Sequence, residues 1–322
     1  MLDISKEIWK NMNVSAFKLA LYKISTFMFA LILLIAVSVA TGKNIFEADG
    51  SEPIIAIAES VSVITGVILI MLIDKPKEWF VMKKIMSAKS FLVIIAFVLA
   101  SRLIVAIVFT LVETGFNSMG YTTVPDYVKS IEAIDPFSIF YAVVAAPVCE
   151  EIIFRGFLLN RFKNYDKKFK YTAIAFLFAT FHGNLAQGIN AFVIGLILCY
   201  VADTYSLKWS VLVHLLNNLS SYFVGEEVAL YYMLIILACF IFAVFYYIYD
   251  KNRKFKKDLA FFGGDLMTFL NVTQTQKKLA RIRIRKCWLL FLFSLFLPII
   301  IYDIFSCINS ISVYVPEVAK GV

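Results

Sequence analysis

Charge is scarce in this chain. Only 17% of its 322 residues are charged, while 61% are hydrophobic; a soluble domain carries about 25% and about 45–50%. The deficit excludes an ordinary globular protein and implies repeated passage through a bilayer. Proline is rare, at 7 residues. Segments of alternating polar and apolar residues are lacking, which argues against a transmembrane barrel. The five cysteines, Cys149, Cys199, Cys239, Cys287 and Cys307, form no Cys-x-x-Cys pair, and buried free thiols are the plain reading. A His-Glu-x-x-His stretch, the strongest sequence sign of a metalloprotease, is absent. Histidine itself occurs only twice. No repeat, low-complexity tract or second soluble domain is visible. Residues 1–15 are polar and amphipathic, so no cleavable signal peptide is expected.

What charge there is has a pattern. The net charge of +8 comes from Lys and Arg clusters lying between apolar runs, where they set orientation rather than bind nucleic acid. A hydrocarbon layer of about 30 Å needs roughly 20 apolar residues of helix. That ruler marks spans near 22–41, 54–73, 91–112, 137–160, 171–186, 188–202, 209–223 and 229–249, with a ninth near 288–305. The expected fold is an all-α, polytopic transmembrane helical bundle with an eight-helix core and a C-terminal ninth span. Residues 1–250 form the core, with the functional helices in about 135–222. Residues 251–286 form a basic segment, and 287–322 the last span and a short tail. The loops after spans two, four and eight are basic and those after spans three and seven acidic. The positive-inside rule then puts the N-terminus in the cytoplasm of a multi-pass cell-membrane protein. The basic segment either lies on anionic lipid or simply ends a stop-transfer anchor.

One stretch breaks the apolar pattern, Pro147-Val148-Cys149-Glu150-Glu151-Ile152-Ile153-Phe154-Arg155-Gly156. An ionisable residue at membrane depth is a functional-site hypothesis by default. Residues four apart share a helix face, so Glu151 and Arg155 are expected to pair. Glu150 has no such partner and is the carboxylate expected to share or retain a proton, as a general base and acid does. Both histidines fall within spans. His182 is one turn after Phe178, and His214 one turn before Asn218. At about 1.5 Å per residue, Glu150 and His182 lie roughly 16 Å from the cytoplasmic side and His214 roughly 8 Å, within reach of one cavity. Glu150 with His182 can draw a proton from water, while His214 or Asn218 donates to the developing oxyanion. Zinc held by Glu150, His182 and His214 is the competing chemistry. Arg102, mid-span, is expected to make a structural ion pair, with Glu59 as one candidate partner.

Taken together, Glu150-Glu151-x-x-x-Arg155, Phe178-x-x-x-His182 and His214-x-x-x-Asn218 on successive spans resemble the CPBP family of membrane proteins. That family, also called Abi, includes the CAAX prenyl endopeptidases and the bacteriocin-processing and immunity proteins. The resemblance covers about residues 135–222. It implies an intramembrane endopeptidase of the glutamic type with no cofactor, acting on a membrane-associated peptide or protein. In that picture Glu150 and His182 activate water, His214 and Asn218 form the oxyanion site, and Glu151 and Arg155 support them. A non-proteolytic scaffold or immunity protein of the same fold stays open, as does a transporter using buried ions for proton coupling.

Overall fold

The computed structural model describes residues 2–45, 50–74, 76–124, 135–222, 226–249 and 285–313. It is an all-α bundle built from α1 (Leu2–Thr41), α2 (Glu52–Asp74), α3 (Ala88–Ser118), α4 (Pro136–Arg161), α5 (Lys167–Phe181), α6 (Leu185–Thr204), α7 (Leu207–Tyr222) and α8 (Glu226–Tyr249). Two further helices, α9 (Arg285–Leu292) and α10 (Phe296–Asn309), follow at the C-terminal end. Among the described residues, five helices are long and apolar enough to cross a bilayer, or six if α9 and α10 count as one bent span. The chain is thus a multi-pass membrane protein. The basic segment expected between α8 and α9 lies almost wholly outside the described residues.

Helix starts follow side-chain chemistry. Ser87 caps α3 by accepting from the Ser90 N–H, and Asp135 caps α4 by accepting from Phe137 and Ser138. Asp166 accepts from Lys168 and Phe169 at the start of α5, and Asn184 from Gln187 at the start of α6. Each cap satisfies backbone donors that a helix cannot satisfy itself.

Two expected spans are reshaped. The span expected over 171–186 stops at Phe181, because Gly183 turns the chain with φ +66° and Asn184 begins the next helix. Only glycine adopts that left-handed conformation without strain. The 15 residues of α5 therefore rise about 22 Å, short of a hydrocarbon layer of about 30 Å. In place of a straight ninth span, α9 and α10 meet at 72°. They pack on the bundle through Phe291 and Phe296, whose rings meet Phe169 and Phe162.

The interior is aromatic. Phe154, Phe157, Phe162, Phe169, Phe178, Phe291 and Phe296 are all buried. Charge collects at the end of the bundle where α4 stops and α5 starts. Lys18 and Arg161 both pair with Asp74, Lys163 with Glu78, and Lys83 and Lys170 with Asp203. Lys163 beside Glu78 holds that carboxyl below its usual range. At the opposite end, Tyr121–Thr122 (β1) pairs antiparallel with Ser312–Val313 (β2), with Tyr121 opposite Val313.

Gly183 supplies a test of this architecture. A Cβ there would sit 2.9 Å from Ser306 Oγ on α10, and the backbone strain alone costs about 1–2 kcal/mol. At Gly115, in the last turn of α3, a Cβ would meet nothing within 4 Å. Gly183→Ala should lower the melting temperature of the detergent-purified protein, whereas Gly115→Ala should leave it equal or raise it. Shifts of the same sign and size would contradict the turn described.

Candidate active site

The carboxylates sit on an irregular helix. Within α4, Glu150 and Glu151 end a short α-helical piece, Ala146–Glu151, placed between two π-helical turns, Tyr141–Ala145 and Ile152–Leu158. In the first, the Ala146 N–H donates to the Tyr141 carbonyl; at the end of the second, the Leu159 N–H donates to that of Phe154. Pro147 has no N–H to close a regular turn. Wide turns of this kind are rare and frequently mark functional sites.

Glu151 lies at the centre of a buried polar network. Arg155 Nη1 donates to its Oε1 at 2.8 Å, and both side chains are fully buried. His214 Nδ1 donates to the same oxygen at 3.0 Å, and the Ser210 hydroxyl donates to Oε2. Arg155 also donates from Nη2 to the Gly195 carbonyl at 3.3 Å. Its guanidinium carbon stands 4.3 Å from the centre of the Phe178 ring. Gly195 permits this close approach: a Cβ there would lie 3.2 Å from Ala175 and from the Phe178 ring. Both charges of this pair thus meet an opposite charge, further hydrogen bonds or a π face, as a medium without water requires.

His214 links that network to Glu150. Its Nδ1 hydrogen is committed to Glu151, so in the neutral ring Nε2 is bare. Nε2 lies 3.8 Å from Glu150 Oε2, too far for a direct hydrogen bond. Glu150 retains 22% side-chain exposure where Glu151 has none. Glu150 is therefore the carboxylate with open space beside it, and Glu151 the one that orients the imidazole. A base held by a buried carboxylate is the logic of a catalytic triad.

The second imidazole is held differently. His182 closes α5, and its Nδ1 lies 2.7 Å from the Phe178 carbonyl oxygen. That oxygen can only accept, so Nδ1 carries the hydrogen and Nε2 is again bare when the ring is neutral. Both imidazoles meet Phe178 edge to face, with ring centres 4.9 Å (His182) and 5.8 Å (His214) from it. One phenyl ring therefore separates the two histidines and caps Arg155. Asn218 donates from Nδ2 to the Ala142 carbonyl in the first π turn at 2.9 Å, and its Oδ1 accepts from Asn217.

All six residues singled out in the sequence thus lie on α4, the end of α5, and α7. The Glu151–Arg155 pair forms as the spacing predicts. Sequence reasoning joins Glu150 to His182 for water activation; His214 also stands near Glu150, with Nε2 3.8 Å from Oε2. Arg102 does not pair with Glu59. It donates to the Asn217 carbonyl at 2.5 Å and to the Ser220 and Ser221 hydroxyls at 3.0 Å, with Tyr232 as a further partner. The reason is physical: one carbonyl and several uncharged side-chain oxygens near the end of α7 together supply the acceptors that the guanidinium needs. Sequence reasoning misses Ser210 and Gly195 as site components and includes Phe178 in a motif without giving its ring a role, although Ser210 precedes His214 by the same four-residue step that joins His214 to Asn218. Among the described residues, no three His, Cys, Asp or Glu side chains gather into a set that could hold a metal ion.

Breaking the central pair should be costly. Arg155→Ala leaves Glu151 buried without its cation, and removing one partner of such a pair costs about 3–5 kcal/mol. The neutral double variant Glu151→Gln/Arg155→Met should be more stable to thermal unfolding in detergent than Arg155→Ala. A double variant no better than the single would show that the pairing is not what holds these groups.

The segment carrying this geometry matches a known family. Residues 132–220 match the family described as type II CAAX prenyl endopeptidase Rce1-like. No curated protein and no solved structure matches the chain. The matched stretch contains α4 to α7 almost entire, and with them Glu150, Glu151, Arg155, His182, His214 and Asn218. Its buried Glu151–His214 pair is consistent with hydrolysis of the glutamate and histidine type. An Rce1-like CAAX-protease domain of the CPBP (Abi) family is thus detected over residues 132–220, less than half of the chain.

Proposed function

We propose that the chain is an intramembrane endopeptidase that hydrolyses a peptide bond of a membrane-associated peptide or protein. The observation that carries this reading is the buried series Arg155–Glu151–His214, ending 3.8 Å from a partly exposed Glu150, within the Rce1-like segment.

In this reading Glu150 takes a proton from water, and the resulting hydroxide attacks the scissile carbonyl carbon. His182, its Nδ1 held by the Phe178 carbonyl, offers bare Nε2 to the same water. Glu151 accepts from His214 Nδ1 and stabilises positive charge on that ring. His214 can then hold a proton on Nε2 and donate it to the oxyanion. The Asn218 amide spends one hydrogen on Ala142 and retains a second for the same oxyanion. When the tetrahedral intermediate collapses, Glu150 returns its proton to the departing nitrogen. None of these steps uses a metal.

The same reading places the N-terminus and the charged end of the bundle in the cytoplasm, from the Lys and Arg clusters there. It counts eight crossings plus a bent ninth, taking α5, α7 and α8 as spans although two of them are short. Substrate then enters from within the lipid layer or from its cytoplasmic face.

Glu150→Gln keeps the shape of the side chain and removes the base. With the wild-type and variant proteins at matched expression, membrane peptides compared by mass spectrometry should include a processed product that vanishes with Glu150→Gln and persists when the wild type is treated with a chelator. The loss should be at least about 10²-fold, the scale of general acid–base catalysis. Identical peptides in all three samples would support a scaffold of the same fold. Loss on chelation would support the zinc chemistry.

A further inference from the structure

The residue that carries His182 is braced from outside the family segment. Lys23 of α1 pairs with Asp303 of α10, and Asp303 is 1% exposed. The Lys23 ammonium also stands 4.6 Å from the centre of the Phe181 ring and 4.9 Å from that of Tyr302. The second oxygen of Asp303 lies 3.2 Å from the Thr180 hydroxyl, which shares its one hydrogen between that carboxylate and the Leu177 carbonyl at 3.1 Å. Thr180 and Phe181 are the two residues immediately before His182. On the other side of His182, Gly183 turns directly under Ser306 of α10. The Phe181 ring is held in turn by Tyr22 (6.1 Å, stacked) and by Phe154 (5.5 Å, edge to face).

A buried aspartate and a lysine in apolar helices are costly to retain for packing alone, since apolar residues of like volume serve that purpose as well or better. A carboxylate that joins α1 and α10 to the last turn of α5 does something a hydrocarbon contact cannot. It fixes the position of the end of a helix only 15 residues long.

We propose that Lys23 and Asp303 are positioning residues for His182. The ion pair, acting through Thr180 and the Phe181 ring, holds the end of α5 so that the His182 imidazole keeps its Nδ1–H on Phe178 and aims Nε2 into the site. The C-terminal helices are on this account a working part of the site, and a chain ending after α8 would have an intact family segment but a loose His182. The inference rests on His182 acting in the hydrolysis proposed above, and its test separates the two.

The test uses the full chain. The only two histidines are labelled with 15N, and their imidazole resonances are followed in the detergent-purified wild type, Lys23→Arg and Asp303→Asn. Asp303→Asn should move the His182 signals from one ordered tautomer toward an exchanging average and leave those of His214 in place; Lys23→Arg should resemble the wild type. In the peptidase assay Asp303→Asn should lower kcat by about tenfold or more with KM little changed, since misplacement of a catalytic group acts on the chemical step. The double variant His182→Ala/Asp303→Asn should be no slower than His182→Ala, because a positioning residue has nothing left to position. Unchanged His182 signals in Asp303→Asn, or equal changes at both histidines, overturn the proposal. If the wild type cleaves no faster than Glu150→Gln, the hydrolytic reading fails, and the His182 resonances still decide whether the brace exists.

Discussion

A carboxylate that no water reaches must be neutralised in place, and Glu151 is the group whose neutralisation organises this structure. Arg155 reaches it from one turn along α4, His214 from α7, and Ser210 from the same face of α7. Arg155 reaches on to the Gly195 carbonyl of α6. Three helices are thereby registered against one another around a single ion pair. The cost of leaving any of these groups unpaired in a low-dielectric interior is several kcal/mol, so the network specifies how α4, α6 and α7 meet. The same network fixes the tautomer of His214. That turns a device for assembling helices into a device for chemistry, because the nitrogen left bare faces Glu150.

The helices around this centre depart from regularity where the site needs it. Two π turns bracket the carboxylates. Helix α5 ends at Phe181, with His182 as its cap, and α6 starts again only a few residues later. In lipid, irregular backbone is tolerated only where other groups satisfy it or where it lines a cavity. Here Asn218 takes the Ala142 carbonyl, Asn160 the Gly156 carbonyl, and His182 the Phe178 carbonyl. The residues that repair the backbone are in part those proposed to act on substrate. A cavity of about 780 Å³ lies at the charged end of the bundle, between Asp74, Trp79, Phe157 and Arg161.

Much of this is legible in the residues. Hydrophobic runs locate the apolar helices, and a charge at membrane depth draws attention to Glu150, Glu151 and Arg155. The pairing of Glu151 with Arg155 follows from helix geometry alone and holds even though a π turn begins between them. Illegible are the features that depend on contacts between distant segments. Nothing local says that His214 approaches Glu150, since the two lie on different helices and far apart in the sequence. The break at His182 is written in Gly183 and Asn184, but the apolar residues on either side make the stretch read as one span. Pairing Arg102 with a carboxylate follows from charge seeking charge. The Asn217 carbonyl and the Asn217, Ser220 and Ser221 side chains satisfy it instead, and uncharged polar residues do not stand out as partners for a cation. Lys23 and Asp303 each stand as a single charge in a long apolar run, and their 280-residue separation hides that they meet.

The central claim is that Glu150 activates water beside a scissile carbonyl whose oxygen faces His214 and Asn218. The direct measurement is a structure of the Glu150→Gln protein holding an uncleaved membrane peptide. The expected result is the carbonyl carbon of one peptide bond beside the amide introduced at position 150, with its oxygen toward His214 Nε2 and the Asn218 amide. A peptide seated only in the charged cavity near Arg161, with its backbone out of reach of both groups, would contradict it.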